Sequence, residues 1–298
     1  MYSGVLCSRH EVKYAFIKQH ADIHPVTRLC EVLGVSSSGY YDWRNRKVSR
    51  RSRANQDLVS QIKTIHSQVM ETYGSPRMHA EPTAQGEKVS LGRVERLMRE
   101  NSIQARQSRR HKRTHQHREG QAPEENILDR QFYALEPNKK WVSDITFIET
   151  RQGWLYLAIV LDLYSRAIVG WSMSNKIDGQ LVRDALAMAI AHRAPKPGLL
   201  VHSDQGSQYT AASYRSELAA NGMTCSMSRK GECHDNAVAE SFFHSLKVEL
   251  VYGARFKSRD DARHAIFKYI ELFYNRKRRH SHLNYKAPLE YENMKAAA

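Results

Sequence analysis

Apolar positions recur at helical spacing through the first hundred residues and change to strand-like runs after Pro137. Residues 25–45 predict helix, turn, helix: Leu29, Cys30 and Leu33 fall on one helical face, Gly34 ends it, and a serine among 36–38 caps the next helix. Residues 56–101 continue in helical periods. "LVSQIKTIHSQVM" is amphipathic, "YGSPR" turns, Gly86 separates two helices, and "VSLGRVERLMRE" begins at a serine cap with Arg93, Arg96 and Arg99 along one side. After Pro137, "WVSDITFIET" (141–150) predicts a strand, and "GWLYLAIVLDLYSRAIVGWSMS" (153–174) a hairpin turning at Tyr164–Ser165–Arg166. Helices are predicted over 179–194, 209–222, 235–252 and 259–280, with a short buried strand, "LLVHSD", at 199–204. Antiparallel strands followed by strands alternating with helices predict a mixed α/β domain behind an all-α region.

Charge adds a partner class. The chain has 298 residues and a formal net charge of +15. The basic residues are clustered: "RNRKVSRRSR" (44–53) holds six and no acid, and "NSIQARQSRRHKRTHQHR" (101–118) holds six Arg or Lys, three His and no acid. The second run has no apolar period. It reads as a basic linker, free either to follow a phosphate backbone through Arg109, Arg110, Lys112 and Arg113 or to act as a bare spacer. A polyanion, nucleic acid first, is the partner this composition favours. The four cysteines, Cys7, Cys30, Cys225 and Cys233, form no Cys-x-x-Cys pair, which argues against a structural zinc site and a disulfide framework. The longest apolar run, "WLYLAIVL", ends at Asp162 and is too short to span a bilayer, so no membrane partner is expected. A reducing, cytoplasmic location is expected.

Candidate chemistry lies in the carboxylates. Asp144 falls within the first strand of the α/β region, Asp204 at the end of "LLVHSD", and Glu240 on a helix. Asp204 has two readings: an ordinary Asp-Gly turn, or an acid held out on a strand end to bind a metal. On the helix, Val238, Phe242, Leu246 and Leu250 predict the buried stripe, while Asn236, Glu240, His244 and Lys247 share another face. That face suits either solvent or a metal with a phosphate. Asp162 reads as structural, paired with Arg166, and Asp235 as a helix cap. Trp141, Trp154, Trp171 and Tyr209 read as core or rim packing.

Thirty-five residues separate Asp204 from Glu240, and the words "WVSDIT", "HSDQGSQY" and "NAVAESFFHSLK" occur in order. This resembles the Asp-Asp-Glu triad of transposases and retroviral-type integrases. More narrowly, the chain from about Lys13 to Glu292 is similar to bacterial insertion-sequence transposases of the IS-three family, specifically their second reading-frame product. The resemblance implies an RNase H-like integrase catalytic core over 134–298, a mixed sheet flanked by helices, preceded by an all-α helix-turn-helix region. It divides the chain into an atypical extension (1–12), a helix-turn-helix-like segment (13–55), a helical DNA-binding domain (56–101), a basic linker (102–133) and the core. It makes Asp144, Asp204 and Glu240 the catalytic carboxylates and ligands of two Mg²⁺ ions, with Mn²⁺ as a substitute. Lys247, Asn236, Arg93, Arg96, Arg99 and the linker cations are then the DNA contacts. The implied activity is 3′-strand cleavage at element ends and strand transfer into target DNA, in the bacterial cytoplasm at the nucleoid. The implied partners are terminal-repeat and target DNA, an upstream-frame segment, and further copies of the chain on DNA. Two alternatives stay open: a catalytically decayed DNA-binding inhibitor of transposition, and a plain metal nuclease. Pro82 departs from the family pattern and is expected to kink or shorten its helix.

Overall fold

The computed structural model describes residues 8–106 and 124–296. It divides into two compact units, 1–60 and 61–298.

The first unit holds α1 (His10–His20), α2 (Val26–Leu33) and α3 (Ser37–Asn45). Gly34 closes α2 in the left-handed region at φ 61°, where glycine carries no Cβ penalty. Ser36 caps α3 by accepting the Gly39 N–H at 3.0 Å. Ile17, Cys30, Leu33 and Tyr40 form the core, with Tyr14, Phe16 and Trp43 packed against it. α1 begins at His10, inside the stretch expected to be an atypical extension. The following helix, α4 (Arg50–Gln68), carries residues of both units.

In the second unit, α5 (Ser75–Ala84) and α6 (Leu91–Glu100) follow. Pro82 is buried inside α5, and the helix ends two residues later in a turn where the Gln85 N–H meets the Glu81 and Pro82 carbonyls. Proline offers no N–H of its own to the turn before it, so the helix is short but properly closed.

The sheet has the order β3-β2-β1-β4-β5, with β1 (Lys140–Thr150), β2 (Gly153–Asp162), β3 (Ile168–Ser174), β4 (Leu200–Ser203) and β5 (Thr224–Met227). β1, β2 and β3 run antiparallel; β1, β4 and β5 run parallel. β5 was not read from the sequence. The long helix α7 (Gly179–Arg193) covers one face, packing Leu181, Val182, Ala185, Leu186 and Ala189 on Trp141, Ala158, Val160 and Val169. Gly170 permits this approach, because a Cβ there would collide with the Ala185 carbonyl of α7. Two short helices, α8 (Ser207–Thr210) and α9 (Ala212–Ala220), replace the single helix expected over 209–222.

The end of the expected linker is not a spacer. The Ile127 and Leu128 N–H groups donate to Ser226 Oγ at 3.0 and 3.1 Å, the Glu125 carbonyl accepts the Met227 N–H, and Leu128 is buried. This strap seals the edge of β5. The expected linker contacts Arg109, Arg110, Lys112 and Arg113 lie outside the described residues.

After β5 come a 3₁₀ turn (Cys233–Asn236), α10 (Ala237–Leu246) and a π-helical turn (Lys247–Val251). Then follow α11 (Arg259–Phe267), a second π-helical stretch (Lys268–Tyr274) and α12 (Pro288–Ala296). Among the described residues no helix is long and apolar enough to cross a membrane.

Candidate active site

The site forms where β1 and β4 part. They pair in parallel through Lys140↔Leu200, Trp141↔Val201 and Val142↔His202. Two residues beyond the last of these pairs stand Asp144, still on β1, and Asp204, just past the end of β4. β1 continues, held on its other side by β2 with Asp144 opposite Ile159. β4 stops at Ser203, and Asp204 turns the chain: its Oδ1 accepts the Gly206 N–H at 2.9 Å. A Cβ on Gly206 would lie 3.0 Å from that same Oδ1. Asp204 is thus an Asx turn and an exposed strand-end acid at once, and the turn accounts for its backbone conformation.

Glu240 reaches the site through Asn236, one helical turn before it. The Asn236 amide donates to the Ser143 carbonyl at 3.2 Å and ties the start of α10 beside Asp144. Ser143 itself donates to the Ile159 carbonyl at 2.8 Å and meets the Tyr209 hydroxyl at 3.0 Å, which joins β1, β2 and α8. Asn236, expected to contact DNA, is 5% exposed; its amide nitrogen donates to β1, and its Oδ1 has no hydrogen-bond partner among the described residues.

Three charged neighbours act on Asp144: Asp204, Glu240 and Lys247. Burial pushes the Asp144 carboxyl well up, and the Asp204 charge pushes it further. The Ile145 N–H, which donates to Asp144 Oδ1 at 2.8 Å, pulls it back, Glu240 raises it again and Lys247 lowers it. Lys247 also stands 5.0 Å from the centre of the Phe147 ring. The donors are carboxylate oxygens from three elements, the set that a hard divalent cation takes, and a cation would relieve the repulsion at Asp144. Among the described residues, no three of His, Cys, Asp or Glu stand close enough to enclose a metal ion.

Other expected residues fall elsewhere. Arg93, Arg96 and Arg99 lie on α6, where Arg96 pairs with Glu100 at 2.9 Å. Asp162 is structural, but its carboxylate takes the Asn138 and Tyr164 N–H groups rather than the Arg166 guanidinium, which donates to the Phe132 carbonyl. Asp235 does not cap α10. It binds Arg229, Arg130 and Asn126, fixing the strap to the loop before the helix, and the Arg229 hydrogen bonds hold it well below the usual carboxylate range. Trp141 and Tyr209 are core residues, whereas Trp154 is 46% exposed.

Asn236 stood in the sequence reading for a different reason, and its value as a tether shows only in the fold. Glu249 and Arg278 were missed. Burial of Glu249 at 5% and Arg278 at 3% exposure, joined at 2.7 Å, marks them, and nothing in "KVELVY" or "NRKRRH" does.

A mixed sheet, antiparallel over β1–β3 and parallel over β1, β4 and β5 and flanked by helices, is the architecture of an integrase-type core. Residues 134–233 and 240–295 match integrase core domain families, and residues 53–111 match an HTH-like domain. The chain belongs to the IS3 family of insertion-sequence transposases. It is 41% identical to the transposase InsF for insertion sequence IS3A of Escherichia coli (strain K12), over 96% of this chain and 100% of that one. It is 40% identical to an uncharacterized 31 kDa protein of insertion element IS600 from Shigella sonnei, over 88% of this chain and 97% of that one. Among solved structures it is similar to the simian T-cell lymphotropic virus intasome in complex with the PP2A regulatory subunit B56 gamma (TM-score 0.46, 14% identity, 78% of this chain and 74% of that one). It is also similar to the HTLV-2 integrase catalytic core domain in complex with magnesium, dimeric form (TM-score 0.40, 15% identity, 53% and 98%).

Proposed function

We propose that this chain binds the terminal repeats of its insertion sequence, cuts the 3′ strand there and joins the freed end to target DNA. The observation that carries the reading is the position of Asp144 and Asp204, each two residues beyond the last β1–β4 pair, Val142↔His202, with the charges of Asp204, Glu240 and Lys247 all acting on Asp144. Asp144, Asp204 and Glu240 would hold two Mg²⁺ ions, replaceable by Mn²⁺; when bound, such ions supply charge stabilisation for the attacking and leaving oxygens of phosphoryl transfer. In the first step water attacks the scissile phosphorus and the element's 3′-oxygen leaves. In the second, that 3′-hydroxyl attacks a target phosphodiester and the target's 3′-oxygen leaves. Lys247 meets a phosphate of the bound end, and Asn236 keeps Glu240 aimed at β1. The helical region, with Arg93, Arg96, Arg99 and the basic run at 101–118, holds the flanking duplex. Joining two ends requires two sites, so copies assemble on DNA, with an upstream-frame segment completing the enzyme in the bacterial cytoplasm.

The test uses labelled DNA carrying the ends of the element, with Mg²⁺. Wild type should nick and join it; Asp204→Asn should bind it and do neither, because an amide is a poor partner for a divalent cation. Joining by the variant at the wild-type rate would refute the assignment. DNA binding without cutting in the wild type would support the inhibitor reading, and cutting without joining a plain nuclease.

A further inference from the structure

The outer half of the β1–β2 hairpin carries two large aromatic rings that packing does not explain. β1 leaves β4 after Val142, while its ladder with β2 runs on to Thr150↔Gly153. On that projecting stretch Phe147 is 53% exposed and Trp154 46% exposed. Their centroids lie 5.1 Å apart at 84°, an edge-to-face pair. By strand alternation Phe147 shares a face with Trp141 and Ile145, which pack into the α7 cluster, but the cover stops short of residue 147. Two cations adjoin the pair. Lys247 stands over the Phe147 ring, and Arg259 donates from Nε to the Trp154 carbonyl at 3.0 Å. Exposed rings interleaved with basic side chains are the chemistry of single-stranded nucleic-acid binding: every base has a face to stack, and the cations meet its phosphates.

We infer that Phe147 and Trp154 form a stacking platform for an unpaired nucleobase of the DNA end, with Lys247 and Arg259 on the flanking phosphates. The inference rests on the proposed function and deepens it. Phe147 is three residues beyond Asp144, about 10 Å along the strand and by the same alternation on its other face, so the link between ring and acid runs through Lys247 rather than along β1. Lys247 joins the two places, because it is felt by Asp144 and rests on Phe147. Glu149, directly across the ladder from Trp154, repels phosphate at that point, so a base rather than a backbone group meets the rings. A base pair inside a duplex has both faces covered by its neighbours, so a base inside the end reaches the rings only if the end opens there.

The experiment is fluorescence anisotropy on the full chain, in chelator so that no strand is cut. The probes are a blunt duplex and the same duplex ending in a three-nucleotide unpaired fork. Wild type should prefer the fork by roughly tenfold, the value of one stacked base. Phe147→Ala combined with Trp154→Ala should lose that ratio, and Phe147→Tyr combined with Trp154→Phe should keep it. Wild-type tryptophan fluorescence should be quenched by the fork more than by the duplex, and Trp154→Phe should remove the difference. A wild type that binds both probes equally, or a fork preference that survives the double alanine variant, overturns the platform and leaves the proposed function standing. Absence of binding to either probe overturns both. Fork preference intact with loss of self-association in the double variant would assign the rings to a protein contact and overturn the platform.

Discussion

Arg278→Met should destabilise the core unit severely, and the structure says by how much. Glu249 lies in the π-helical turn that continues α10, and Arg278 grips its carboxylate twice, Nη2 to Oε1 at 2.7 Å and Nε to Oε2 at 2.8 Å. The Tyr269 hydroxyl donates to Oε2 at 2.7 Å, and Arg77 of α5 stands 3.4 Å from Oε1. Arg278 also donates to Ser245 on α10 at 3.0 Å. Burial alone would lower the Arg278 guanidinium; its bonds to Glu249 instead carry it above its ordinary range. Removing Arg278 leaves a buried carboxylate held by Tyr269 and a distant Arg77, a loss of about 3–5 kcal/mol for a broken buried pair. At about 2–4 °C per kcal/mol for a unit of this size, the melting temperature should fall by roughly 6–20 °C. Glu249→Leu alone should cost similarly, because it strands the arginine. The double variant should cost no more than either single one, since both charges leave together. Thermal melts and urea titrations of the four proteins close this cycle. A shift below about 2 °C for Arg278→Met, or additive losses in the double variant, would show that the pair is solvated in solution and refute the reasoning.

Three further outcomes are expected. Asp144→Asn should raise the melting temperature in chelator, because burial and then Asp204 disfavour its charge; Mg²⁺ should raise it for wild type but not for the variant, and equal Mg²⁺ shifts would count against Asp144 as a ligand. Asn236→Ala should slow strand cleavage roughly ten- to hundredfold through misplacement of Glu240 while DNA affinity holds, and an unchanged rate would deny the tether. His202, between Ser226 and Ser228, is pushed down to about 4 by burial, so the unfolded chain takes up its proton first. Its contribution is complete above about pH 6.5 and is lost as pH falls toward 4, roughly 3 kcal/mol across the window. Asp162, pushed up to about 6 by burial, works in the opposite sense, so the readout is wild type minus His202→Asn by urea titration at each pH; a flat difference would refute it.

The long periodic elements were legible because their pattern repeats often enough to exclude other readings. β1, β2, β3 and α7 each carry seven residues or more. β5 was not legible. It has four residues, "TCSM", and it becomes a strand only because β4 lies beside it and the 124–134 strap seals its far edge. The buried stripe of α10 was half right. Val238, Phe242, Leu246 and Leu250 repeat every four residues, yet the buried set is Ala239, Phe242, Phe243 and Leu246. The buried side is already offset from the predicted stripe within α10, before the π-helical turn in which the Tyr252 N–H reaches back five residues to the Lys247 carbonyl at 2.8 Å. Glu249, three residues beyond Leu246, continues the buried side and meets Arg278, while Leu250 is left half-exposed. No sequence periodicity announces such a turn.

The acids themselves were visible as local words, but their meeting point is a property of the register. β1 is the strand at which the sheet changes sense, antiparallel to β2 along its whole length and parallel to β4 for three residue pairs. Open α/β sheets bind ligands beyond the carboxyl ends of strands, where neighbouring chains diverge and leave a crevice. Here the divergence begins after Val142↔His202, so an acid two residues on from each partner lies at the opening, and the Asp204 charge is felt at Asp144. A shift of one residue in either strand would turn its acid to the opposite face of the sheet. The deep burial of Trp141 and Val201 against α7, and the stitching of His202 to Ser226 and Ser228, therefore do more than stabilise a core. They hold the register that sets Asp144 and Asp204 each two residues beyond the last β1–β4 pair, while Asn236 anchored on Ser143 ties the start of Glu240's helix to β1.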